Sequence, residues 1–179
     1  MGRFIGNWLA DTIRFALALG LALAAMQLPA LSQSYTAALL QVSTGTERDV
    51  ARRLEIAREF LRLPPGTPDA EVEAALRRSE PANAAGLDQS RGTAAILRES
   101  HASLSAAPPL LHPILALWDG LHDSRADKRS ILRIALDQHV PSVLLSTGPL
   151  TYGLAGLMFG LLLAQTLIMP FQRRRPRYA

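Results

Sequence analysis

Two long uncharged segments constrain this chain more than any other feature of its sequence. No Asp, Glu, Lys or Arg occurs in residues 15–46 or in residues 138–172. Each segment contains an apolar run close to the length of about 20 residues that a helix needs to cross a bilayer. The sequence therefore predicts a membrane protein with two spans.

The first run, Phe15–Leu31, is slightly short for a typical span, but Arg14 can reach the membrane surface and lengthen it. The alternative is a cleaved signal peptide, because Ala30-Leu31-Ser32 resembles a small-residue cleavage site. The apolar flank that precedes the run, and Pro29 within the proposed site, favour an uncleaved span.

The second run, Leu150–Ile168, is uncharged and lies between Pro149 and Pro170. Proline is tolerated in the first turn of a helix and is common near its end. A membrane span is favoured here over the buried helix of a soluble protein.

The net charge of +4 is concentrated at the ends of the chain. Residues 33–147 hold 13 basic and 14 acidic side chains. A basic tail beside an apolar run indicates a membrane flank and lipid-headgroup contacts rather than a nucleic-acid site. The Lys/Arg bias at the two ends predicts a multi-pass protein with both termini cytoplasmic and the central region outside, which in a bacterium would be the periplasm. The headgroup candidates are Arg173, Arg174, Arg175 and Arg177.

Small and polar residues in the runs suggest how the spans pack. Gly153, Gly156 and Gly160 recur at helical spacing, which allows close helix approach in a hairpin or a homodimer. The other interpretation is that apolar spans are simply rich in glycine. Gln27 and Thr151 are expected at similar depth, where they could form an interhelical hydrogen bond.

The central region shows helix signals and almost no strand signals. Val50, Leu54, Ala57 and Leu61 form one apolar stripe of a helix over residues 47–63. Thr67-Pro68-Asp69 is a helix start, and that helix is expected to end near residue 79. Beyond it we expect a loop over 79–89, a helix over 90–105, an apolar helix over 110–121 and a further helix capped by Ser124.

These patterns predict an all-α fold with two transmembrane helices that flank a small extramembrane helical bundle. The expected divisions are residues 1–32 for the N-terminal flank and first span, 33–147 for the helical domain, and 148–179 for the second span and basic tail. Residues 110–121 are interpreted as bundle core, with docking on a membrane surface or a partner as the alternative.

No pattern of reactive residues indicates an enzyme. There is no cysteine, and the four histidines form no close ligand pair and are expected on the surface. Asp119, Asp123 and Asp127 could bind calcium or act as acid and base, but a cluster at a helix end is the favoured interpretation. We expect no catalytic residues, no metal and no cofactor. The histidines are His101, His112, His122 and His139.

Two short motifs resemble a known family. The residues Gln27-x-Pro29-x-Leu31-x-Gln33-x-Tyr35 follow the first span, and Pro149-Leu150-Thr151 opens the second. This pattern resembles a bacterial domain-of-unknown-function family of two-span inner-membrane proteins. The resemblance implies the same architecture and location, and it implies no known activity.

The resulting hypothesis is a non-enzymatic accessory or scaffolding membrane protein that makes helix-mediated contacts with another membrane or periplasmic component. Its expected partners are the lipid bilayer and either a protein partner or a second copy of the chain, and no nucleic acid. The alternatives are a periplasmic ligand-sensing module that signals through a partner, and a small oligomeric transporter or channel.

Overall fold

The computed structural model describes the backbone of residues 2–140 and 146–173 and the side chains of residues 8–9, 11–140 and 146–167. These residues form six α-helices and one 3-10 turn and contain no strand, as the all-α prediction requires. The elements are α1 (Gly2–Phe60), α2 (Asp69–Ser79), α3 (Pro81–Ser105), α4 (His112–His122), a 3-10 turn (Arg125–Asp127), α5 (Lys128–Asp137) and α6 (Thr147–Arg173).

Helix α1 is a single helix of 59 residues, and this length is the main departure from the expected layout. The first apolar run and the stripe that begins at Val50 belong to one helix with Pro29 inside it. The candidate cleavage residues Ala30-Leu31-Ser32 therefore lie within a helix, where Leu31 and Ser32 are buried. The helix ends at Phe60, three residues before the predicted end.

The chain divides into two compact units. The first joins the start of α1, up to Leu31, with the chain from Val140 onward, which includes α6. The second unit is Ser32–His139, against the 33–147 expected from the sequence. Two helices, within Asp11–Phe60 and Thr147–Leu167, are long and apolar enough to cross a membrane. Helix α6 continues past Pro170 to Arg173, beyond the expected end.

The second unit has two hydrophobic clusters along α1. Val50, Leu54 and Ala57 are buried against α2 and α3, and Leu61 packs at the edge of the same cluster, which confirms the predicted stripe. Closer to the start of the unit, α1 meets α3, α4 and α5. That second cluster consists of Tyr35, Leu39, Leu97, Leu104, Ala116, Ile131, Leu132 and Ala135.

Three local predictions in this unit are wrong. Residues 81–89 are helical rather than a loop, because Pro81 is the first residue of α3, where its missing N–H is no loss. Ser124 forms no side-chain cap, and a 3-10 turn follows it instead. The apolar run 110–121 is not core throughout, since most of its large side chains are exposed. These are Leu110, Leu111, Ile114, Leu115, Trp118 and Leu121.

Candidate functional site

A buried lysine connects the helices of the second unit. Lys128 is the first residue of α5 and the only lysine among the chain's 19 basic residues, and it has no exposed surface. Its Nζ donates to Ser100 Oγ on α3, to Asp119 Oδ1 on α4 at 2.8 Å and to Asp123 Oδ2 at 2.6 Å. These three acceptors use all three protons of an ammonium group.

Asp119 extends this arrangement to α1. The hydroxyl of Tyr35, which is fully buried, donates to Asp119 Oδ2 at 2.8 Å. Burial, together with the hydrogen bond to the Asp119 carboxylate, raises the pKa of Tyr35 far above its ordinary value, so its hydroxyl remains a donor. We refer to Tyr35, Ser100, Asp119, Asp123 and Lys128 as the Lys128 network. Side chains from α1, α3, α4 and α5 meet in it.

The backbone of the turn before α5 is strained. Ala126 and Asp127 have φ values of 56° and 48°, a left-handed conformation that costs a residue with a side chain about 1–2 kcal/mol. Arg125, in the same turn, donates through its side chain and its backbone N–H to Asp123. These bonds and the one from Lys128 hold the pKa of Asp123 well below its usual range. The Asp123 carboxylate in turn raises the pKa of Arg125.

The Lys128 network joins three helices of the second unit. Nζ donates to each of its three partners, two of which are carboxylates. Because Ser100, Asp119 and Lys128 belong to α3, α4 and α5, these hydrogen bonds hold the three helices together.

A cavity of about 520 Å³ lies beside the network. Its wall includes the carboxylates of Glu99, Asp119 and Asp123 and the guanidinium of Arg125. Trp118 adds an aromatic surface, and its ring stacks on that of His122 with centroids 3.7 Å apart. The cavity therefore combines an acidic wall with an aromatic one.

A second polar contact attaches α4 to α1. His112, the first residue of α4, contacts Ser32 Oγ through Nδ1 at 3.1 Å and Thr36 Oγ1 through Nε2 at 3.2 Å. The Thr36 hydroxyl donates to the Ser32 carbonyl, so Nε2 carries the proton that it donates to Thr36. Burial lowers the pKa of His112 and favours the neutral ring. The sequence predicted a surface histidine; His112 is instead half-buried and bonded to two α1 side chains.

The three aspartates singled out in the sequence are only partly brought together. Asp119 and Asp123 share Lys128, whereas the side chain of Asp127 is exposed at the end of the turn. An ammonium thus occupies the position between the two carboxylates that a cation would need. Among the described residues, no three His, Asp or Glu side chains are grouped as metal ligands.

In the first unit, the three glycines of α6 lie against small residues of α1. A Cβ on Gly160 would come within 2.7 Å of Ala18 Cα, and one on Gly156 within 2.7 Å of the Leu21 carbonyl oxygen. A Cβ on Gly153 would meet the Met26 side chain at 2.6 Å. Along this antiparallel pair the backbones approach closely enough to exclude a side chain at Gly156 and Gly160, whereas at Gly153 the obstacle is the flexible Met26 side chain.

The other candidates in the first unit are the polar pair Gln27 and Thr151 and the four C-terminal arginines. Thr151 is exposed, and its hydroxyl donates to the Thr147 carbonyl of its own helix at 2.8 Å. Gln27 is half-buried. Arg173 is the last residue of α6, and Arg174, Arg175 and Arg177 lie outside the described residues.

The sequence contained one signal for the network that was not used to predict it. Every basic residue except Lys128 is an arginine. An ammonium is a compact charge with three donors, which matches the three acceptors around Nζ. Tyr35, Ser100 and His112 gave no comparable signal, because their partners are distant in the sequence.

Comparison of the chain with protein-family models, curated proteins and solved structures finds no match.

Proposed function

We propose that the chain is a non-enzymatic accessory or scaffolding protein of a bacterial inner membrane. In this proposal α1 and α6 cross the membrane, both termini are cytoplasmic, and the Ser32–His139 unit is periplasmic. The motif that begins at Gln27 and resembles a two-span bacterial family supports the same location.

The observation that carries this proposal is the continuity of α1. The helix passes from the apolar run directly into the buried stripe of the second unit without a linker. The helix that carries the first apolar run is therefore also part of the second unit, with no flexible linker between the run and the domain. A domain joined directly to a membrane anchor suits a scaffolding role.

The second unit also carries a surface suited to a protein partner. A groove of about 340 Å³ is bordered by Ile56 and Phe60 of α1, which are 58% and 68% exposed, and by Leu76 and Leu87 of α2 and α3. Exposed apolar side chains beside a groove are typical of helix-mediated recognition. We assign the helix-mediated contact to this groove.

Site-specific photo-crosslinking in intact bacterial membranes tests the proposal. A crosslinker at position 60 is expected to capture one reproducible partner or a second copy of the chain. The matched control places the same crosslinker at Arg48, which is exposed on the same helix outside the groove. A chain that forms no adduct from position 60, or equal adducts from both positions, would contradict the scaffold proposal.

One observation favours a second candidate function, a ligand-sensing module. The cavity beside the Lys128 network has an aromatic wall and the carboxylate of Glu99 in addition to the two that Lys128 already holds, and a further carboxylate beside an aromatic ring is suited to a small organic cation. Titration of the full-length chain in detergent with a panel of small amines, on a Trp8→Phe background, would report binding through Trp118 fluorescence. Saturable quenching by one amine, abolished by Glu99→Gln, would favour the sensor over the scaffold.

A further inference from the structure

The exposed face of α4 is apolar, whereas the exposed face of a helix in water is expected to be polar. Pro113, Ala116 and Gly120 are turned toward the bundle and buried. Large apolar side chains occupy the opposite face over an arc of about 120° at 100° per residue. Their exposed fractions are between 42% and 63%. They are Leu111, Ile114, Leu115, Trp118 and Leu121.

Contacts within the second unit place α4 at the level where the apolar run of α1 ends. His112 contacts Ser32 and Thr36, and Asp119 accepts from Tyr35. Ser32 follows Leu31, the last residue of the run, by about 1.5 Å of helical rise. The α1 partners of α4 are therefore the first residues beyond the candidate span.

The same contacts show that α4 crosses α1. His112 and Asp119 are separated by about 10 Å of helical rise along α4. Their partners on α1 are all within Ser32–Thr36, about 6 Å of rise. If α4 ran alongside α1, residues seven apart on α4 would have partners about seven residues apart on α1. Within the second unit, α4 therefore lies across the part of α1 that follows the apolar run.

A cation lies at the C-terminal end of the apolar face, and the carboxylates at the same end of α4, Asp119 and Asp123, are paired with Lys128. The Arg129 guanidinium donates to the Leu121 carbonyl at 3.1 Å and 3.2 Å, which places a cation at the C-terminal end of the face. Trp118 lies within the face, and tryptophan favours the headgroup region of a bilayer. An apolar helix face with an adjacent guanidinium matches acyl chains beneath anionic phosphates.

From these observations we propose that α4 is an interfacial helix whose apolar face lies in the outer surface of the membrane that the chain spans. The proposal rests on the membrane anchoring proposed above. In it the bilayer, rather than a protein partner, covers Leu111, Leu115 and Trp118.

The absence of cysteine from the chain allows a direct test by spin labelling. Leu115→Cys and Trp118→Cys variants of the full-length protein are labelled in vesicles of phosphatidylethanolamine and phosphatidylglycerol. Glu71→Cys on α2 is the water reference, and Leu162→Cys on α6 is the lipid reference; both side chains are exposed. Collisions with oxygen and with a water-soluble nickel chelate give the depth of each label.

The labels on α4 are expected about 5–10 Å below the phosphates, with the Glu71 position in water. If the α4 labels match the Glu71 reference while the Leu162 label is in lipid, the interfacial helix is overturned and the anchoring stands. If the Leu162 label is also in water, the anchoring proposal fails as well. Labels shielded from both reagents would indicate a protein contact and also overturn the proposal. Helix content and protection of the Lys128 amine from acylation verify the fold of each variant.

Discussion

The Tyr35 hydroxyl donates to Asp119 Oδ2 across 2.8 Å and links α1 to α4 over 84 residues of sequence. The same carboxylate accepts from Lys128 through its other oxygen. Asp119 of α4 is thus bonded both to α1, through Tyr35, and to the start of α5, through Lys128. The stability of the second unit is expected to depend on this junction.

Removal of the Tyr35 hydroxyl is expected to loosen the junction. Tyr35→Phe loses a hydrogen bond to a charged acceptor, at a cost of about 1.5–3 kcal/mol. Acylation of the Lys128 amine by a succinimidyl ester, measured by mass spectrometry on the peptide that contains this only lysine, reports the opening of the network, and its rate should rise about tenfold or more. An unchanged acylation rate and an unchanged melting temperature would contradict the assigned role of the hydroxyl.

Replacement of Lys128 should be far more damaging than replacement of another base on α5. Lys128→Met leaves Asp119 and Asp123 partly buried without their shared cation, at a cost of about 3–5 kcal/mol. Arg133→Met removes the same charge from an exposed position on the same helix and should change stability by less than about 0.5 kcal/mol. Melting of both variants in detergent gives the comparison, and equal losses would exclude a special role for the network.

The stability of the chain should fall in mild acid because of His112. Burial lowers the pKa of this histidine in the folded state, so the unfolded chain takes up its proton first. Its contribution is fully present above the ordinary histidine pKa of about 6.5 and is lost as the pH falls from there toward the lower folded value. Melting temperatures across this range should decrease with acidification.

Two histidine variants separate this effect from other titrations. His112→Gln should reduce the slope of melting temperature against pH below neutrality, whatever its effect on the absolute stability. His122→Gln changes an exposed ring that stacks on Trp118 and should keep the wild-type slope. A slope that both variants preserve would remove His112 as its cause.

The close approach of α6 to α1 predicts that a glycine-to-alanine substitution destabilises the helix pair at the contact but not away from it. Gly160→Ala introduces a Cβ within 2.7 Å of the Ala18 backbone and should destabilise the helix pair by about 1–3 kcal/mol. Gly20→Ala adds the same atom where nothing lies within 4 Å, and should be neutral or slightly stabilising. Unfolding in mixed micelles measures both. If Gly160→Ala is as stable as Gly20→Ala, this packing does not hold the two helices together.

The elements could be predicted from the sequence where the signals are local. Uncharged apolar runs identified the two long helices, and the spacing of Val50, Leu54 and Ala57 identified the buried face of α1. The continuity of α1 could not be predicted, because Pro29 and the polar residues after it suggest a break. A proline interrupts few backbone bonds, and packing of the surrounding residues can maintain the helix.

The Lys128 network was beyond sequence reasoning for a physical reason. A charged side chain is expected in water unless its partners are known, and Ser100 is 28 residues from Lys128. The exposed face of α4 was misassigned to the core for a related reason. Apolar spacing shows that a helix has an apolar face but does not show whether protein or lipid covers it.

The sequence separation within the Lys128 network sets an order of events during synthesis. Tyr35 leaves the ribosome 84 residues before its partner Asp119. At translation rates of about 5–20 residues per second, that gap lasts roughly 4–17 s. The face of α1 that contains Tyr35 and Leu39 is therefore synthesised well before α4 and α5, which cover it in the folded chain. Under the proposed anchoring, the first helix is available for insertion before the domain that it carries can close.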